Sequence, residues 1–269
     1  MMVAQIAYGR LTPTAKTAVD QLLAVPINPK GVTMKTPDFV GASHWADDVR
    51  PLTGFEFSKD LHFVDYPFSA DGTDLPEDLP LPDNVVKAVT DYVDVLKSNT
   101  ASDTDKAEAL RFVIHFVGDM HQPLHCGTRV SKAFPEGDRG GNEFVIATRD
   151  DNGKRLRTKL HSYWDGGIGS FPRMGAHFAP PPMDEIAPAA TVVTDAYPDS
   201  NADWQSAGPF DFLGWAKESE NIAENFTYKG LVQKKEPTAR YNKAALKVAQ
   251  KRVAWAGYRL AALLNAIYP

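Results

Sequence analysis

The sequence of 269 residues contains one cysteine, Cys126, which excludes an intrachain disulfide and a cysteine-rich structural zinc site. It has no run of about 18 apolar residues, so we expect no membrane-spanning helix. Its first residues do not form a secretory signal peptide. Basic residues number 29 against 34 acidic ones, which gives a net charge of −5, and no basic stripe is visible along the chain. These features disfavour a protein that holds duplex nucleic acid by neutralising many phosphates.

The remaining composition is ordinary for a globular protein. Hydrophobic residues make up 43% of the chain and charged residues 23%, which excludes intrinsic disorder as the main state. The length allows one large domain or two small ones, and no shift in composition divides the chain. We therefore predict a single domain over residues 1–269.

Hydrophobic periodicity predicts a mainly α fold. Helical patterns begin near Thr12, Asp83, Ser102, Trp215 and Tyr241. Ser102 and Asp105 have the spacing of a loose capping box, and Pro123 would end the helix that starts there. The strand signal is limited to 143–148, which precedes a turn signal at 151–153. We predict one short β-hairpin on an otherwise helical body.

Two His–Asp pairs with the same spacing indicate a metal site. His115 and Asp119 are four residues apart, which on a helix places both side chains on one face. His161 and Asp165 repeat the spacing, and His125 lies between the pairs. Imidazole and carboxylate are the ligands of a hydrolytic zinc site with an open position. One such pair is most often a plain hydrogen-bonded pair, but two pairs and an extra histidine in apolar surroundings favour a metal, because unpaired charges are costly to bury.

Four ordered motifs resemble a known protein family. They are Trp-Ala-Asp at 45–47 with His-Phe-Val-Asp at 62–65, Gly-Asp-Met-His-Gln-Pro-Leu-His at 118–125, Gly-Gly-Asn at 140–142 and Leu-His-Ser-Tyr-Trp-Asp at 160–165. Together they resemble the zinc-dependent single-strand-specific nucleases of the S1/P1 type, which share their fold and metal cluster with zinc phospholipase C. The resemblance covers nearly the whole chain and implies a single helical domain of that type.

The resemblance implies the metal ligands residue by residue. One zinc would be held by Asp47, His62, His115 and Asp119. A second would be held by His125, His161 and Asp165. The family holds three zincs, and the third shares the bridging carboxylate and takes its other ligands from a Trp-Gly-x-x-Gly-His stretch. That stretch would precede the segment 3–7, so either translation starts upstream of Met1, which we favour, or this chain holds only two zincs.

The implied reaction is hydrolysis of single-stranded RNA and DNA to 5′-phosphomonoesters, together with 3′-nucleotidase activity. Two adjacent cations would lower the pKa of a water between them and neutralise the phosphoryl oxygens, so Asp47 and Asp119 count as catalytic as well as metal-binding. Arg50 matches a phosphate-contacting arginine of the family, and its guanidinium fork suits two phosphate oxygens. Asp65 matches a carboxylate that contacts substrate or orients the water.

Two further residues would contact the substrate. Phe63 could stack on a nucleobase, and Asn142 could hydrogen-bond a base or a phosphate. Structural roles stay open for all of these contacts: a surface ion pair for Arg50, a cap for Asp65, core packing for Phe63 and a turn for Asn142. We expect His121, which lies inside the longest motif, to be a hydrogen-bond partner of a metal ligand.

Two other functions stay open. A phospholipase C-like lipid phosphodiesterase could use the same metal cluster, and a degenerate zinc-binding protein could have lost catalysis. For the leading function the expected partners are single strands and nucleotides, with no stable duplex binding and no membrane span. The resemblance also implies a monomer in the periplasm or outside the cell.

Overall fold

Helices dominate the structure, a computed structural model that describes residues 1–27, 38–173, 175 and 180–269. The helices are α1 Met2–Tyr8, α2 Pro13–Ala24, α3 Phe39–Ala42, α4 Trp45–Val49, α5 Val85–Lys97, α6 Asp103–His121, α7 Leu160–Asp165, α8 Met183–Ala196, α9 Phe212–Ile222 and α10 Ala239–Ile267. Short 3-10 segments cover Glu56–His62, Pro123–His125 and Ala202–Ser206, and a π turn covers Ala223–Thr227. The mainly α prediction is confirmed.

The described strands form two small sheets. β3 Val145–Arg149 pairs antiparallel with β4 Arg155–Lys159, and this is the predicted hairpin. β1 Pro67–Ser69 pairs in parallel with β2 Thr128–Val130, a contact that the sequence did not predict. Strands of three residues are too short to show an alternating pattern, so only the fold brings them together.

Local sequence signals set the ends of the main helices. The Ser102 hydroxyl accepts a hydrogen bond from the Asp105 amide, and the Asp105 carboxylate accepts one in return from the Ser102 amide, which completes the capping box of α6. α6 ends at His121, two residues before Pro123. Thr12 caps α2 in the same way through its hydroxyl. These helix starts agree with the sequence prediction.

The core is built around α6, which is buried on most of its circumference. It packs against α2, α4, α5, α9 and α10. Phe112 and Phe116 are fully buried, and the Tyr92 ring stacks on Phe112 with a centroid distance of 4.7 Å. Truncation of such a buried aromatic typically costs about 3–5 kcal/mol. The core therefore fixes the C-terminal end of α6 at the centre of the molecule.

A buried ionic network, here called the arginine cluster, joins this end of α6 to α9 and α10. It consists of His121, Glu218, Arg252 and Arg259. The Glu218 carboxylate accepts hydrogen bonds from Arg252 Nη1 at 2.7 Å and from Arg259 Nη1 at 2.6 Å. Arg252 Nε donates to the His121 carbonyl at 3.1 Å. The network ties the last turn of α6 to both neighbouring helices.

Candidate metal centre

Seven side chains from five chain segments converge at the C-terminal end of α6. α4 supplies one side chain, and α6 and α7 supply two each. The last residues of the 3-10 segments Glu56–His62 and Pro123–His125 supply the other two. We call the set the ligand cluster: Asp47, His62, His115, Asp119, His125, His161 and Asp165. These are the seven predicted metal ligands, and the fold brings all of them together.

The first half of the ligand cluster surrounds Asp119. The Asp119 Oδ2 atom lies 3.0 Å from His62 Nδ1 and 3.0 Å from His115 Nε2, and the two nitrogens are 3.1 Å apart. Asp47 completes this half, with its carboxylate oxygens 3.9 Å from His62 Nδ1 and 3.8 Å from His115 Nε2. Four donor atoms of this kind at this spacing suit one divalent cation.

The second half is formed by one histidine of a 3-10 segment and the His–Asp pair of α7. His125 Nε2 lies 3.1 Å from His161 Nε2. Asp165 places one oxygen 3.5 Å from His125 Nε2 and the other 3.7 Å from His161 Nε2. Asp119 Oδ2 is 3.9 Å from His125 Nδ1, the ring nitrogen on the side away from Asp165, so the charge of Asp119 reaches the second half without facing its donor atoms.

Backbone carbonyls orient three of the four imidazole rings. The Nδ1 atom of His115 contacts the Ser43 carbonyl at 2.6 Å, that of His125 contacts the His62 carbonyl at 2.8 Å, and that of His161 contacts the Gly140 carbonyl at 2.8 Å. A carbonyl only accepts, so each Nδ1 donates its proton and each Nε2 keeps a free lone pair in the neutral ring. Metal-binding histidines are typically oriented in this way.

The donor set fits a bound cation. The Nε2 lone pairs of His125 and His161 face each other at 3.1 Å and repel unless a positive charge lies between them. Burial lowers the pKa of His115, but the charges of Asp119 and Asp47 outweigh it and raise that pKa to about 9. The same balance, with Asp119 the largest raising charge, lifts the pKa of His125 to about 10.

The pKa values of the neighbouring histidines, His62 and His161, are lowered instead. Burial is the main cause that lowers the pKa of both His62 and His161, and the charge of the neighbouring ring adds to it. Each half of the ligand cluster therefore accepts one positive charge, which a proton or a metal ion can supply.

Two supporting groups were not found by sequence reasoning. Gln122 donates its side-chain amide to Asp165 Oδ1 at 2.7 Å and accepts from the Leu124 amide at 2.6 Å. Gly140 has a φ of +59°, and a Cβ there would collide with the Leu124 carbonyl. Only glycine can therefore present this carbonyl to His161. Both residues belong to motifs that the sequence analysis singled out.

A buried carboxylate shapes the glycine turn itself. Asp138 is fully buried, and its Oδ1 atom accepts from the amides of Arg129 and Gly141 and from the Tyr228 hydroxyl. Burial raises the pKa of Asp138, although these hydrogen bonds oppose the change. The turn that holds the Gly140 carbonyl is thus anchored to β2 and to the segment after the π turn.

The predicted substrate-contacting residues lie around the cluster with different surroundings. Arg50 Nη1 is 3.6 Å from Asp47 Oδ1, and about half of the Arg50 side chain is exposed. Phe63 is half-buried and extended in backbone. Asn142 donates its side-chain amide to the Arg139 carbonyl of its own turn at 2.9 Å. Burial, and next the charge of Asp138, raises the pKa of Asp65 to about 6.

The expectation for His121 is wrong. Its Nδ1 contacts the Val117 carbonyl at 2.7 Å and its Nε2 lies 3.1 Å from Arg259 Nη1, so both ring nitrogens are engaged away from the ligand cluster. Two residues along a helix rotate a side chain by about 200°, which puts His121 opposite Asp119. The helical periodicity of α6 contained this signal.

Several known proteins are similar in sequence to this chain over nearly its full length. The S1/P1 nuclease family matches residues 1–269. Endonuclease 2 of Arabidopsis thaliana is 29% identical over 99% of this chain and 88% of its own, and Endonuclease 3 of the same plant is 26% identical over 99% and 86%. Nuclease P1 of Penicillium citrinum is 33% identical over 45% of this chain and 41% of its own. The chain therefore belongs to the S1/P1 nuclease family.

Proposed function

We propose that this protein is a zinc-dependent nuclease that cleaves single-stranded RNA and DNA to 5′-phosphomonoesters and also removes 3′-phosphates from nucleotides. Family membership makes it a hydrolytic enzyme that acts on phosphodiester bonds of nucleic acid. The observation that supports the proposal most directly is that two groups of histidine and aspartate side chains converge at the C-terminal end of α6.

The ligand cluster would hold the zinc ions. Asp47, His62, His115 and Asp119 would bind one, and His125, His161 and Asp165 would bind the other. Bound zinc would supply a water of lowered pKa and would neutralise the phosphoryl oxygens as negative charge builds on them. The carbonyls of Ser43, His62 and Gly140 keep three rings in the tautomer that this binding needs.

Residues beside the cluster would place the substrate. Arg50, half-exposed beside Asp47, can extend its guanidinium to a phosphate at the first metal position. Asp65 has a pKa of about 6 and could hold or release a proton beside His125 near neutral pH. The half-buried Phe63 ring has no aromatic ring packed on it among the described residues, which leaves it free to stack on an unpaired base.

The recessed position of the cluster accounts for the preference for single strands. The four histidines are at most about one-seventh exposed, whereas Asp47 and Asp165 are 39% and 45% exposed, so a scissile phosphate would reach the metals from the side of these carboxylates. A flexible strand with unstacked bases can follow this path, whereas a stiff duplex cannot. Asn142, at the mouth of the glycine turn, would then contact a base or phosphate of the entering strand.

The deciding experiment measures turnover of the zinc-loaded protein on four substrates. These are heat-denatured DNA, the same DNA as a duplex, a 3′-mononucleotide and a phosphatidylcholine analogue. We expect 5′-phosphorylated products from the denatured DNA, phosphate release from the nucleotide, and rates at least about a hundredfold lower on the duplex. Turnover of the lipid analogue alone would overturn the proposal in favour of the phospholipase C-like alternative. The relatives are named as nucleases, which does not favour that alternative.

Metal analysis separates the enzyme from a degenerate zinc protein. We expect two or more zinc ions per chain, and loss of all cleavage when a chelator removes them. Bound zinc without any turnover on nucleic acid or nucleotides would support the degenerate alternative.

The cellular setting is also part of the proposal. In the described residues no helix combines the length and apolar character needed to cross a bilayer. Following the family resemblance, we propose a monomer that works in the periplasm or outside the cell. Sizing of the purified protein by light scattering tests the monomer, and cell fractionation tests the location.

A further inference from the structure

The outer face of the β3–β4 hairpin carries a row of cations. Residues paired directly across an antiparallel ladder project from the same face, and this face alternates along each strand. Arg155, Arg157 and Lys159 of β4 therefore share a face, and the pairing adds Arg149 of β3 opposite Arg155. The sequence analysis saw no basic stripe because the two strands are separate in the sequence.

The four cationic side chains are exposed, although Ala147, which shares their face of the hairpin, is buried. Ile146, on the other face of β3, is fully buried in the hydrophobic cluster that contains Leu160 and Trp164. Arg149, Arg155, Arg157 and Lys159 are all exposed. Their charged ends are consequently in solvent and available to a charged partner.

Two of the cations have no internal partner. Arg149 pairs with Glu236 at 2.7 Å, and Arg155 donates to the Lys234 carbonyl at 2.6 Å. The side chains of Arg157 and Lys159 make no hydrogen bond or ion pair with any of the residues that the structure describes. Exposed arginines and lysines without an acidic neighbour are a common feature of phosphate-binding surfaces.

Neighbouring groups add to the positive charge. Lys234 donates its backbone amide to the Val145 carbonyl and Lys235 accepts at its carbonyl from Ala147, so this dilysine segment runs along the open edge of β3. Of the hairpin acids, Asp150 caps the turn and Asp151 pairs with Arg173. Glu236 pairs with Arg149, and Glu143 precedes β3 in the chain.

The row leads to the ligand cluster. Lys159 is the residue before α7, two positions ahead of His161, so the two Cα atoms are within about 7 Å. The row then extends about 13 Å along β4 to Arg155. A protein with a net charge of −5 thus concentrates free cations on one path that ends at its metal centre.

We propose that this face, with Arg157 and Lys159 as its main contacts, binds the sugar-phosphate backbone of a single-stranded polynucleotide along the stretch that leads away from the cleaved bond. The inference rests on the proposed function and refines it, because it makes the protein more effective on long strands than on mononucleotides. The contacts are to phosphates, so they carry no base preference.

The test compares the double variant R157Q/K159Q with the unmodified zinc-loaded enzyme. We expect kcat/KM to fall about five- to tenfold on long denatured DNA but only about twofold on a 3′-mononucleotide, since a mononucleotide at the metals can reach Lys159 at most and does not extend along β4. The matched control is K97Q/K106Q, which removes the same charge at the far end of α5 and α6, about 20 Å along α6 from Asp119. It should behave as the unmodified enzyme on both substrates.

A binding measurement keeps this test independent of catalysis. Anisotropy of a fluorescent twenty-nucleotide thymidine strand with phosphorothioate linkages gives Kd as a function of salt. The slope of log Kd against log salt should fall by about 0.7 for each lost phosphate contact in R157Q/K159Q and should not change in the control.

The outcomes separate the two proposals. Equal loss on polymer and mononucleotide, or an unchanged salt slope, would overturn the backbone-binding face while the nuclease proposal stands. No cleavage by the unmodified enzyme, combined with a reduced salt slope in the variant, would sink the proposed function and leave the face supported.

Discussion

Two buried histidine clusters lie on opposite sides of the last turn of α6, and they differ in how their polar groups are paired. In the arginine cluster both nitrogens of His121 have protein partners, and Glu218 accepts from two guanidinium groups and from Ser206. In the ligand cluster the Nε2 atoms of His125 and His161 face each other at 3.1 Å, and the Nδ1 atom of His62 lies 3.1 Å from the Nε2 atom of His115.

The pairing distinguishes a cluster that holds the fold from one that holds a ligand. Burial and the nearby charges of Arg252 and Arg259 keep the pKa of His121 well below its usual value, so it stays neutral and its hydrogen bonds are permanent. In the ligand cluster, a proton or the proposed metal ion would supply the positive charge between the facing rings. A variant in the first cluster should therefore change stability, and a variant in the second should change metal binding and turnover.

The largest effect is expected for Asp119→Asn. The amide cannot supply negative charge to both halves of the ligand cluster, so we expect cleavage of denatured DNA to fall by about a thousandfold. Zinc per chain, measured by mass spectrometry, should fall in parallel. Full zinc content with full activity would show that Asp119 is not shared between two metals.

Glu218→Gln should mainly destabilise the fold. It leaves two buried guanidinium groups without a counter-ion, which we expect to reduce the free energy of unfolding by about 3 kcal/mol in urea titrations. The matched control is Glu220→Gln, which breaks a more exposed pair with Lys217 on the same helix and should cost less than about 1 kcal/mol. Zinc content of the folded variant should be unchanged, and a loss of zinc would contradict the division between the clusters.

The pH dependence of this difference follows from the pKa of Glu218. Burial raises this pKa, but the hydrogen bonds and charges of Arg259 and Arg252 outweigh it and lower it to about 2 from the usual 4.5. The contribution of Glu218 is therefore fully present above about pH 4.5 and is lost as pH falls towards 2. The stability difference between wild type and Glu218→Gln should shrink over this range.

A smaller effect is expected for Gln122→Glu. The variant keeps an oxygen to accept from the Leu124 amide but loses the donor to Asp165 and adds a repelling charge. We expect zinc affinity at the second half of the ligand cluster to fall about ten- to hundredfold, as for other groups that orient ligands. Competition with a chelator measures it, and Gln122→Ala, without the repulsion, should fall less.

The smallest effect is expected for Asp65→Asn, and its sign is opposite. Because burial raises the pKa of Asp65 from 3.8 to about 6, the ionised carboxylate destabilises the fold, with no cost below about pH 3.8 and the full cost above about pH 6. The amide should raise stability by about 1 kcal/mol at pH 7 and leave it unchanged at pH 3.5. Nuclease activity should fall at the same time, and a variant as active as wild type would remove Asp65 from the proposed mechanism.

Some of this organisation could be predicted from local sequence patterns. The capping box at Ser102 and the His–Asp spacing depend on residues three or four positions apart, and a helix fixes their geometry without help from the rest of the fold. The same periodicity places His121 on the side of α6 opposite Asp119. Its position inside the motif had instead suggested a contact with a metal ligand. The β1–β2 pair gave no local signal because its partners are about sixty residues apart.

The sequence by itself determined which side chains could bind metal, since imidazole and carboxylate donors and their helical spacing are properties of the chain. It also determined the main helices, because caps and periodicity are local. Only the tertiary structure decided that Asp119 contacts His62, that the Gly140 carbonyl orients His161, and that the cations of β3 and β4 form one surface. These relations join residues that are distant in the chain, and packing and strand register, rather than spacing, bring them within a few ångströms.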